Sequence, residues 1–168
     1  MNMIQKLIKI VVAAVFIGFA HHAIASVESH KKIITDVDYQ KKILFYVNEY
    51  RSKQHLPPLK MSYKISMEAT KHSRDMSNKA IPFGHAGFSG RIKRLYHAYK
   101  NCQGGAENVA YYKLDAKKLV AAWIASPGHR RNIRGNYNLT GIGIARTKKN
   151  GWANYTQIFL RCDSKHTR

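Results

Sequence analysis

The most constraining feature is a pair of strand-like runs near the C-terminus with a turn between them. Residues 139–146 and 152–161 both read as strands, the second with Tyr155, Gln157 and Phe159 alternating, and Lys148-Lys149-Asn150-Gly151 between them has hairpin-turn chemistry. A third apolar run, Ala106 to Tyr112, reads as a buried strand entered through Gly104-Gly105. A sheet this small needs helices on both faces to bury it, and the upstream sequence supplies them.

Ile43, Leu44, Val47 and Tyr50 form a helical stripe that starts near Asp38 and stops before Pro57-Pro58. Residues 61–79 place Ile65, Ala69, His72 and Met76 on one helical face. Pro82 and the glycines at 84, 87 and 90 predict a loop. Ser89 then offers an N-cap to a short helix carrying Arg91, Ile92, Leu95 and Tyr99. Asp115 is placed to cap a helix with Leu119, Val120, Ala122 and Trp123. Ser126-Pro127 opens a further short helix through Ile133. The class is α+β, a three-layer α-β-α sandwich around a small, mainly antiparallel sheet.

The first residues have the form of a secretory signal peptide. Lys6 and Lys9 precede an apolar run from Ile10 to Ala20, and Ala23-Ile24-Ala25 has the small-x-small pattern of a cleavage site. That run is shorter than the roughly 20 residues a membrane-spanning helix needs; an uncleaved anchor is the rival reading. The expected organisation is signal peptide 1–25, flexible mature N-terminus 26–37, one domain over 38–163 and a tail over 164–168. The expected location is secreted or periplasmic.

The whole chain carries a net charge of +20. Cleavage would remove Lys6 and Lys9 and no acid, leaving +18. Such an excess points to an acidic neighbour, either an anionic lipid or an envelope polymer; a simply solvated basic surface is the alternative. Tyr96, Tyr99, Tyr111 and Tyr112 are interleaved with basic residues, but at helix and strand spacing they read as half-buried packing, so no specific nucleic acid is expected. Cys102 and Cys162 in an exported chain point to a disulfide, against two unpaired thiols as the alternative.

Three residues stand out as chemistry. His85 lies in a loop of small residues between Phe83 and Phe88. Glu107 sits in an apolar strand, where a carboxylate is costly unless paired or ligated. His129 falls in the first turn of the Ser126-Pro127 helix, where the dipole disfavours imidazolium, which predicts a pKa below the ordinary value of about 6.5. Two histidines and a glutamate would suit a zinc-type site with an open position, with His85 and His129 as the metal ligands and Glu107 activating bound water. Ser126 is accounted for as an N-cap rather than a nucleophile.

The order of these segments resembles the CAP superfamily (cysteine-rich secretory, antigen 5 and pathogenesis-related proteins), in its short bacterial form. The resemblance rests on Asn48-Glu49-Tyr50-Arg51, Leu56-Pro57-Pro58-Leu59, His72-Ser73-Arg74-Asp75-Met76, His85, Arg91, Gly105 to Ala110, Trp123 to Ile133, Gly141 to Ala145 and Tyr155 to Phe159. It implies an α-β-α sandwich with a cleft lined by two histidines and two acids. By position, His85, Glu107 and His129 take the places of the first histidine, first glutamate and second histidine. The place of the second acid, three residues after Trp123, holds Ser126. The resemblance further implies a monomeric module that binds a small hydrophobic ligand, a divalent metal or an envelope or host surface. Metal-assisted hydrolysis through His85, His129 and Glu107 is the enzymatic alternative.

Overall fold

A computed structural model describes residues 36–113, 115–149 and 151–163. The expected signal peptide, residues 26–35 and the tail 164–168 lie outside the described residues. The chain divides into two units, Met1–Asp38 and Tyr39–Arg168, and the second carries the sandwich. Helix α1 covers residues 36–53, so it includes the last two residues assigned above to a flexible N-terminus.

The other elements follow as β1 (Lys60–Met61), α2 (Tyr63–Ser77), α3 (Phe88–Ala98), β2 (Cys102–Lys113), α4 (Ala116–Ala125), α5 (Pro127–Arg134), β3 (Leu139–Arg146) and β4 (Trp152–Cys162). The sheet order is β1-β3-β4-β2. β1 runs parallel to β3, the β3/β4 pair is antiparallel as a hairpin requires, and β2 pairs antiparallel with β4 at the other edge.

The pleat of β4 sorts the core into two layers. Ala153, Tyr155 and Phe159 pack with Ile43 and Val47 of α1, Leu119, Val120 and Trp123 of α4, and Ile133 of α5. Ile158, Leu160 and Cys162 face the other way, onto Ile65 and Ala69 of α2 and Ile92 and Leu95 of α3. On β3, Ile142 and Ile144 join the first layer. Gly141 and Gly143 face α2, where an added Cβ would lie 2.3 Å from the backbone carbon of Ile65 and 2.1 Å from that of Ala69. The two glycines therefore let the α2 backbone rest directly on the sheet.

Some boundaries differ from the sequence reading. Ser62 caps α2, its hydroxyl accepting from the Ile65 amide, so the helix starts at Tyr63. Helix α3 starts at Phe88 with Gly87 in the N-cap position at φ 75°, a left-handed conformation that displaces Ser89 from that role. Gly104-Gly105 does not precede β2 but lies inside it. The strand begins at Cys102 and absorbs the glycines as a register shift between Gln103 and Gly105. Cys102 and Cys162 are register partners, 3.9 Å apart at Cα, and form the disulfide. Among the described residues no helix is long and apolar enough to cross a membrane.

Candidate functional site

Glu107 and Asn108 are successive residues of β2, so their side chains leave the sheet on opposite faces. Glu107 points toward α2 and α3, with its side chain 1% exposed. There Arg91, in the first turn of α3, clamps it with two charge-assisted bonds, Nε to Oε2 and Nη2 to Oε1, each 2.8 Å. Arg91 Nη1 also donates to the Ala86 carbonyl at 2.7 Å, tying the His85 loop to the same guanidinium.

His85 completes the cluster. An ionised carboxylate only accepts, so His85 Nδ1 donates to Glu107 Oε1 across 2.9 Å. That bond occupies Nδ1 and leaves Nε2 as the outward ring nitrogen, an acceptor in the neutral imidazole and a donor in the imidazolium, on a side chain still 53% exposed. Beneath it, buried His72 donates from Nε2 to the Gly84 carbonyl at 2.8 Å and holds the loop from the α2 side. The 3.3 Å approach of Arg91 Nη2 to the same nitrogen is then a contact between two donors rather than a hydrogen bond. Burial, and secondarily the Arg91 charge, holds the His72 pKa below the ordinary histidine value, so the ring adds no further positive charge to the cluster.

Asn108 works on the other face. Its Nδ2 donates to the His129 carbonyl at 3.2 Å, and Asn132 Nδ2 donates to Asn108 Oδ1 at 2.8 Å and to the Glu107 carbonyl at 3.0 Å. These bonds lash α5 to β2. Arg51, 1% exposed, holds the far end of α5, where its guanidinium donates to the carbonyls of Ile133, Gly135 and Tyr137, and to Pro57. A cation there also complements the C-terminal end of the helix dipole.

Of the three predicted residues, the structure brings His85 and Glu107 into direct contact. The His129 side chain shares no hydrogen bond with either among the described residues. Its ring lies 6.4 Å from that of Trp123, and its Nδ1 is buried without a partner. The His129 pKa is lowered, as argued from its helix position, but the causes are burial first and repulsion from His85 second. Ser126 does occupy the N-cap position, with Pro127 following, yet its hydroxyl makes no capping bond; only its carbonyl accepts, from the Arg130 amide at 2.9 Å.

The arrangement lends no support to a zinc ion held by His85 and His129 with Glu107 activating its water. Both Glu107 oxygens are committed, and a guanidinium in bidentate contact opposes any cation placed beside them. Among the described residues no group of three or more His, Cys, Asp or Glu side chains is placed to hold a metal ion. The residues that sequence reasoning left out of the site are Arg91 and His72. Each was visible as a polar side chain on an otherwise apolar helical stripe, beside Ile92 and Leu95 in one case and Ile65 and Ala69 in the other.

A three-layer sandwich carrying its histidine–glutamate pair beside an edge strand defines an SCP-type domain. The chain belongs to the family described as "CAP: Cysteine-rich secretory protein family", whose model matches residues 44–159. Two Bacillus subtilis (strain 168) proteins are each 32% identical to it. YkwD, called uncharacterized, matches over 73% of this chain and 47% of its own length, and YlbC, called an uncharacterized membrane protein, over 80% and 37%. The chain thus spans less than half the length of these curated relatives. Among solved structures, an extracellular protein containing an SCP domain from Bacillus anthracis str. Ames aligns at TM-score 0.62 and 26% identity, covering 74% of this chain and 40% of that one. An outer surface protein from Borrelia burgdorferi aligns at TM-score 0.65 and 16% identity over 75% and 94%, a likeness of fold.

Proposed function

We propose that this protein is an exported binding module whose cleft holds a small amphipathic ligand with an anionic head, rather than a metal-assisted hydrolase. One observation carries the reading: the buried Glu107 carboxylate already accepts from Arg91 at both oxygens and from His85 at Oε1, which disfavours a role as general base. The exposed ring nitrogen it leaves behind is the His85 Nε2, which donates to an anionic head when the imidazole carries its second proton. Phe83, two residues away and 57% exposed, supplies apolar surface for the ligand's body. Charge favours the anionic head, because every acid between Tyr39 and Cys162 (Glu49, Glu68, Asp75, Glu107 and Asp115) is already ion-paired.

Native mass spectrometry of the exported protein, followed by titration with a long-chain carboxylate such as palmitate, tests the reading. A bound amphiphile is expected, with affinity falling at least tenfold in His85→Ala while folding is unchanged. Equal affinity in His85→Ala refutes the cleft assignment. Zinc-dependent turnover that disappears in Glu107→Gln establishes the hydrolase instead.

A further inference from the structure

We infer a second interaction surface, at the end of the sheet opposite the disulfide, that docks on an anionic phospholipid bilayer. Lys113 and Trp152 form the last pair of the β2/β4 ladder, whereas Cys102 and Cys162 form the first. Lys113 lies six residues beyond Glu107 on the same strand, about 20 Å at roughly 3.3 Å per residue, so this surface is separate from the cleft.

At this end Tyr111 and Trp152 stack, with ring centroids 4.9 Å apart and planes 28° from parallel. Tyr111 is 42% exposed, unlike Tyr96, Tyr99 and Tyr112, which are half-buried as their spacing predicted. Lys149 Nζ lies 4.6 Å and Lys113 Nζ 6.0 Å from the Trp152 ring centroid. Lys117 and Lys118 are exposed in the first turn of α4, which follows β2 directly. The acid among them, Asp115, is occupied: its carboxylate caps the Lys118 amide at 3.0 Å and pairs with Lys118 Nζ at 3.7 Å.

The arrangement favours a membrane over a nucleic acid. A Trp ring already stacked on a tyrosine and covered by an ammonium has no free face for a base, and base stacking is what gives single-stranded binding its affinity. Tyr and Trp rings with polar edges, surrounded by lysines on long apolar stems, are instead the residues that settle at the headgroup level of a bilayer. Each lysine near an anionic leaflet is expected to raise binding about fivefold.

Cosedimentation of the exported protein with vesicles tests this. Binding is expected to phosphatidylcholine vesicles containing 30% phosphatidylglycerol, to be absent without the anionic lipid, and to be lost in about 0.5 M salt. Lys113→Glu/Lys149→Glu should weaken it at least twentyfold and Tyr111→Ala/Trp152→Ala at least fivefold, while His85→Ala leaves it unchanged. A control reversal elsewhere, Lys60→Glu/Lys93→Glu, should matter much less. Equal losses in the two charge-reversed variants would mean diffuse attraction to the whole basic surface and would overturn the proposal, as would no binding to anionic vesicles. Palmitate affinity should be unaffected by Lys113→Glu/Lys149→Glu, so failure here leaves the cleft reading standing, and the reverse.

Discussion

Replacing Arg91 with methionine tests the central electrostatic claim, that Glu107 is a buried carboxylate sustained by one guanidinium. The side chains are 6% and 1% exposed, and two bonds of 2.8 Å join them. Methionine keeps much of the stem's packing but leaves Glu107 with only the His85 Nδ1–H. Removing one partner of a buried pair costs about 3–5 kcal/mol, because the survivor keeps its desolvation penalty and loses its compensation. Removing both charges avoids that cost, so Arg91→Met/Glu107→Met should be more stable than Arg91→Met alone, with a coupling of at least about 2 kcal/mol in the double-mutant cycle. The assay is equilibrium urea unfolding with the disulfide intact, and the single variant should melt roughly 10 °C lower. A loss below about 1 kcal/mol in Arg91→Met, or additive effects in the cycle, would refute the argument.

Gly143→Ala should destabilise by about 1–3 kcal/mol or more, because its Cβ would meet the Ala69 backbone at 2.1 Å and α2 would have to lift off the sheet; urea unfolding reads it directly. Cys102→Ala/Cys162→Ala opens a cross-link with a sequence separation of 60 and should cost about 4 kcal/mol of unfolding free energy. His72 and His129 have folded pKa values below the unfolded value near 6.5, so the unfolded chain binds protons that the folded state refuses. Stability should therefore be full above pH 6.5 and fall below it, by up to about 1.4 kcal/mol per pH unit for His72, until the folded pKa is reached. His72→Gln should flatten that slope, and an unchanged slope would show that His72 is not the group responsible.

The layers were legible because each element repeats its apolar signal several times. β4 carries apolar and aromatic strand formers on both faces over its eleven residues, and α2 and α4 show the helical period over fifteen and ten. β1 was not, because two residues carry no period. The site was half legible. Glu107 announced itself as a charge inside an apolar strand, but its partner could not be chosen from sequence among so many cations. What selects Arg91 is its position on the buried stripe of α3, a fact about packing across the sheet. The zinc reading has the same weakness, since residue types suited to a metal say nothing of what has already claimed their lone pairs.

The positions of both histidines depend on the phase of one strand. Glu107 must face α3 to orient His85, and Asn108 must face α5 to hold the helix that carries His129. A slip of one residue between β2 and β4 would exchange them, burying an unpaired carboxylate against α5 and an amide against Arg91. Two features set that phase. The shift between Gln103 and Gly105 decides which face each later residue takes, and the Cys102–Cys162 bond anchors the ladder at that end, ahead of the shift. The disulfide thus secures the alternation on which the Glu107–Arg91–His85 cluster is built as well as stabilising the fold.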